Sequence, residues 1–154
     1  MPSRAELDPG RFAAHAPRAF VASREMADIR FRLAGEDLIE LVGRTAAGGS
    51  VLALWRPEHR GRVAALLGAS LIAGEPMVIE AEAAAAKDLA LRLEFLFAPL
   101  TGPQGVADRF LGLCQPISGA GHSPVANLAI VAVNGHAAER GHLRLAAVGG
   151  RRIA

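Results

Sequence analysis

Between residues 28 and 44 the apolar positions change their period. Ile29, Phe31 and Leu33 alternate with Arg30 and Arg32, the rhythm of a strand with one apolar face. After Gly35 the apolar residues fall at Leu38, Leu41 and Val42, the spacing of a short amphipathic helix. Glu36 and Asp37 suit the positive end of that helix, and Gly43 is placed to stop it. A shorter strand, "PRAFVAS" at 17–23, precedes this unit, and the polar "REMAD" separates the two. "TAAGGSV" (45–51) reads as a flexible connection. The longest helical pattern follows: Pro57 fits a first turn, Val63, Leu66, Leu67 and Leu71 form one stripe, and Gly74 and Pro76 close it.

Two longer strands come next, 77–86 and 89–100, with Lys87-Asp88 as the expected turn between them. In the second, Leu89, Leu91, Leu93, Phe95 and Phe97 share one face while Arg92 and Glu94 point the other way. "TGPQG" (101–105) is a turn, 108–117 is a last strand, and "SGAGHSP" (118–124) reads as a linker. The order is strand, strand, short helix, longer helix, then three strands. Strand and helix do not alternate throughout, which argues against a doubly wound parallel sheet. The expected class is α+β, with an antiparallel sheet and its helices on one face. The segment beyond the linker alternates only in part, and its glycines interrupt any assignment.

Composition narrows this picture. The chain has 154 residues, 51% apolar and 21% charged, which fits one folded domain with extensions. No apolar run reaches the roughly 20 residues that span a bilayer, and "MPSRAELDPGRF" lacks the apolar stretch of a secretory signal. A single cysteine, Cys114, gives no internal disulfide and fits a reducing, cytoplasmic setting. The net charge is +2, but residues 119–154 carry four arginines (140, 144, 151 and 152) against Glu139 alone. That tail has no aromatic residue, so a solvated terminus is a plainer reading than a nucleic-acid surface.

Taken in order, "FRLAGEDLIELVGR", "LW", "PEHRGRVAALLGASLIAGEP", "LEFLFAPL" and "RFLGLCQP" resemble a PAS domain, and within that family the short single-domain proteins of alphaproteobacteria. The positions that carry the resemblance are Phe31, Arg32, Leu33, Ala34, Gly35, Gly43, Arg44, Leu54, Trp55, Pro99, Leu100, Leu111 and Gly112. It covers residues 17–117, leaving 1–16 as a lead-in and 118–154 as linker and basic extension. The resemblance implies a five-stranded antiparallel sheet with short helices packed on one face. It also implies a cavity between the two layers and a role in sensing and protein–protein signalling, often as a dimer. The cavity would be lined by Phe31, Leu33, Leu38, Leu41, Trp55, Val63, Leu67, Leu91, Leu93 and Phe95.

Sharper chemistry finds little support in the residues. Flavin photochemistry in this family needs a cysteine after the short helix, where this chain reads "GRTAAGGSV"; Cys114 lies in the last strand instead. Heme-binding members can place a histidine on the connecting helix. His59 stands near the start of that helix, at a position read as solvent-facing, so heme is not expected. His15, His122, His136 and His142 show no close ligand spacing, and no metal site is expected. Trp55 reads as core before ligand platform, and Arg44 as a cap for the helix it follows. "RGHLR" (140–144) has half of a cyclic-dinucleotide signature without the other half. Glu80 and Glu82 share a strand face, but no nucleophile or histidine joins them; an exposed face paired with Arg92 is the plainer account.

The expected function is a non-catalytic sensory or regulatory module, acting through a small molecule, protein contacts or both. No kinase, cyclase or DNA-binding module accompanies it in this sequence, so its output would pass to a separate signalling protein. A homodimer is expected, and neither nucleic acid nor membrane is expected as a partner. Two other readings stay open: a dimeric scaffold whose cavity is filled by side chains, and a small-molecule enzyme on a cone-shaped α+β fold. The enzyme would need ionisable groups on the inward face.

Overall fold

The computed structural model describes residues 13–83, 90–119 and 124–135. A 3-10 turn (Ala13–Arg18) leads into strands β1 (Ala19–Glu25) and β2 (Asp28–Ala34), followed by helix α1 (Glu36–Val42). Two further 3-10 turns (Gly43–Ala46 and Val51–Leu54) reach the long helix α2 (Pro57–Ala73). Strands β3 (Met77–Ala83), β4 (Leu91–Thr101), β5 (Ala107–Ser118) and β6 (Ala129–Asn134) complete the chain. They form one sheet in the order β2-β1-β5-β4-β3-β6, and every neighbouring pair is antiparallel.

The expected five-stranded sheet is present, and β6 extends it along the free edge of β3. Residues that the sequence left unassigned therefore join the sheet. β6 offers no period-2 signal, because Ala129, Ile130, Val131, Ala132 and Val133 are apolar on both faces. The 87–88 turn and the basic tail with its "RGHLR" stretch lie outside the described residues.

Local chemistry explains the element ends. Pro57 occupies the first turn of α2, where its missing N–H costs no bond. At the far end Gly74 takes a left-handed conformation (φ 69°) and its N–H donates to Ser70 O. The buried Ser70 hydroxyl donates to Glu75 O at 2.6 Å, so a polar group inside the helix–sheet layer is satisfied. Between β4 and β5, Gly112 faces Phe97, and a Cβ there would run into the ring of Phe20 from β1. The glycine is needed so that an aromatic side chain can lie across the sheet.

One register detail corrects the sequence reading. Val21 pairs with Leu33 but Ala22 pairs with Phe31, so Arg32 is an extra residue on β2. Past such a bulge the alternation inverts. Ile29 and Phe31 point into the core, whereas Leu33 turns to the outer face and is 54% exposed.

Candidate functional site

The candidate site is the interior between the inner face of the sheet and the helical layer. Period-2 geometry sends Leu91, Leu93, Phe95 and Phe97 of β4 inward, and the stripe on α2 supplies Val63, Leu67 and Leu71. Phe31, Leu38, Trp55, Val63, Leu67, Leu91, Leu93 and Phe95, all expected to line a pocket, belong to one buried cluster, each at most 4% exposed. Leu41 packs against this cluster half-buried. Leu33 does not join it. It lies on the outer face beside an open groove of about 530 Å³, with Val21, Arg32 and Arg109 among its neighbours.

Aromatic rings run through the interior in a connected chain. Phe31 meets Phe20 edge-on at a centroid distance of 5.3 Å, and Phe20 meets Phe97 at 5.5 Å. Phe97 then contacts Phe110 at 5.6 Å and stacks on Phe95 at 6.2 Å, while Phe95 meets Trp55 at 5.7 Å. These are preferred aromatic geometries, worth about 0.5–1.5 kcal/mol per pair beyond area burial. Phe20, Phe97 and Phe110 were not among the expected lining residues. Phe97 shares a strand face with Phe95, a signal already present in the alternation. Phe20 and Phe110 depend on which strands become neighbours, which the alternation does not state.

The polarity of this interior is low. Among the described residues, the buried polar or charged ones are Ser23 and Ser70. Cys114 is a free, buried thiol, and burial pushes its pKa from 9.0 up to about 12, with the Arg18 guanidinium pulling less strongly the other way. A thiol held neutral in this way is a poor nucleophile. Trp55 is fully buried, and its Nε1–H has no hydrogen-bond partner among the described residues. Its indole N–H is a polar group in a largely apolar interior.

The polar candidates fall elsewhere. Glu80 pairs with Arg92 at 3.6 Å on the outer face, and Gln115 donates to Glu94 at 3.1 Å beside them. Arg44 is exposed, and the N–H of Gly43 caps α1 by donating to Ile39 O. His59 differs from the solvent-facing reading: it is half-buried, and its Nδ1 accepts the Ile130 N–H at 3.1 Å. No sequence signal links residues 71 positions apart in this way.

The family model of the PAS domain matches residues 1–115. The chain belongs to the PAS domain family. Comparison with curated proteins gives no match. Membership assigns a general sensory or signalling role, since PAS domains are generally sensory, non-catalytic modules. The match ends within β5, so residues 124–134, with β6, lie outside the matched span. No helix among the described residues is long and apolar enough to cross a membrane.

Proposed function

We propose that this PAS domain is a non-catalytic regulatory module that signals through protein contacts, its interior occupied by its own side chains. The observation that carries this reading is the connected series of ring contacts from Phe31 to Trp55, with centroid distances of 5.3–6.2 Å. The low polarity of the buried residues supports the non-catalytic part, because acid–base or nucleophilic chemistry needs ionisable groups facing a substrate. Output passes to a separate signalling protein, and the domain itself forms a homodimer. The lone buried thiol fits a reducing, cytoplasmic compartment.

Cross-linking in the native cells, followed by purification of the chain under denaturing conditions, tests the protein-contact reading. The expected product is the chain joined to the same signalling protein in independent repeats. Recovery of the chain alone, or joined only to itself, contradicts a separate output partner. Sedimentation across a range of concentrations tests the dimer.

A second reading rests on Trp55. A buried N–H without a partner is costly, by roughly 1–3 kcal/mol, and a small apolar molecule carrying one acceptor oxygen would relieve that cost. Such a molecule would have to displace packed side chains, so it is the weaker of the two readings.

A further inference from the structure

Residues 124–134 cross the helical layer before they reach the sheet. Pro124 packs against Gly43, and the Val125 N–H donates to Leu41 O at 2.7 Å. Leu128 pairs in parallel with Trp55: its N–H donates to Leu54 O at 2.9 Å and its carbonyl accepts the Arg56 N–H at 3.0 Å. Arg56 Nε adds a bond to Asn127 O at 3.1 Å. The segment then pairs with β3 from Glu82↔Ala129 to Val78↔Asn134, with an irregularity at Glu80/Ala81. Val125 and Leu128 are its buried anchors, while Ile130 and Val133 are only half-buried.

These bonds join backbone groups or a permanently charged guanidinium, with one exception. At Ile130, where the segment enters the sheet, the N–H donates to Nδ1 of His59. Only a neutral imidazole with its proton on Nε2 can accept there, because the protonated ring is a donor at both nitrogens. Histidine is also the side chain suited to changing charge near neutral pH.

We propose that residues 124–134 are a pH-sensitive strap, held at Ile130 by the neutral His59 imidazole and released from β3 and the Trp55 corner when that ring is protonated. The charged groups on the same helix end are Arg56, Glu58, Arg60 and Arg62. Arg56 is engaged with the strap, and Arg60 Nε donates to Trp55 O at 3.0 Å. The strap from Pro124 to Gly135 carries no ionisable side chain. On β3, Glu80 and Glu82 lie on the outer face opposite Ala132 and Ala129, and Glu80 pairs with Arg92. Release opens the β3 edge and loosens the cover over Trp55, the only tryptophan of the chain. This device goes beyond the proposed function and holds whether or not the interior takes a ligand.

Amide hydrogen exchange of the full chain, corrected for intrinsic rates, tests the strap together with Trp55 fluorescence. Between pH 7.5 and 5, protection of the Ile130 amide relative to Leu113 of β5 should fall at least about fivefold, the worth of the His59 bond alone, and further as the rest of the strap follows, while Trp55 emission moves to the red. His59→Gln keeps an acceptor that does not titrate and should abolish the pH dependence, whereas His59→Phe should leave Ile130 poorly protected at both pH values. The same pH dependence in wild type and H59Q overturns the proposal, as does Ile130 protection that follows Leu113 throughout. In the unmodified protein, nitrogen NMR of the His59 ring gives a second criterion should the variants not fold. A common midpoint for ring titration and Ile130 exchange supports the strap, and separate midpoints refute it.

Discussion

Phe31 and Leu33 stand two positions apart on β2 and lie on opposite faces of the sheet. Phe31 is fully buried against Phe20, whereas Leu33 is 54% exposed. Phe31→Ala is expected to cost about 3–5 kcal/mol and Leu33→Ala no more than about 0.5, read as the shift of a urea unfolding midpoint. Equal costs would mean that the Arg32 bulge is misplaced. Cys114 offers a second test. Its thiol pKa is raised from 9.0 to about 12, so the folded state holds the proton more tightly than the unfolded chain. The resulting stability is fully present below pH 9 and is lost as pH climbs toward 12. The loss should be about 1.4 kcal/mol per pH unit in that window, and Cys114→Ala should remove this part of the slope. Comparison of alkaline unfolding curves for the two proteins checks the sign. The chain has no tyrosine to obscure the same range.

At the scale of elements, the β1–β2 hairpin closes through a two-residue turn, Met26-Ala27, between the paired Glu25 and Asp28. Met26 is 94% exposed and takes φ 51°, a left-handed conformation that suits Asn or Gly better than Met. Met26→Asn is expected to stabilise the protein by about 0.5–1 kcal/mol, visible as a rise in Tm. No change, or a fall, would mean that the turn differs from the one described. Elements of this kind differ in how plainly the sequence declares them. α2 is legible because Pro57, the Val63–Leu67–Leu71 stripe and Gly74 all agree, and β4 because its alternation is unbroken from Leu91 to Phe97. β2 misleads at Leu33 because a bulge leaves no mark in the hydrophobic pattern. β6 and the strap are illegible because their positions depend on carbonyls of Leu41 and Leu54 and on the ring of His59, which are distant in sequence.

For the whole molecule, the central question is what occupies the space between sheet and helices. Eight of the ten expected lining residues meet in one buried cluster, a ninth packs against it, and Leu33 alone faces outward. The interior was thus legible as a set of residues, but alternation cannot say whether such a set surrounds a space or fills it. The cross-strand placement of Phe20, Phe97 and Phe110 favours filling. A filled interior would direct signalling to the surface, as the proposed function requires. Native mass spectrometry of freshly purified protein, compared with the denatured mass, tests this most directly. A filled interior gives a native mass equal to the chain or a whole multiple of it. An added mass that disappears on denaturation would contradict the filled interior and make Trp55 the place to look for the bound molecule.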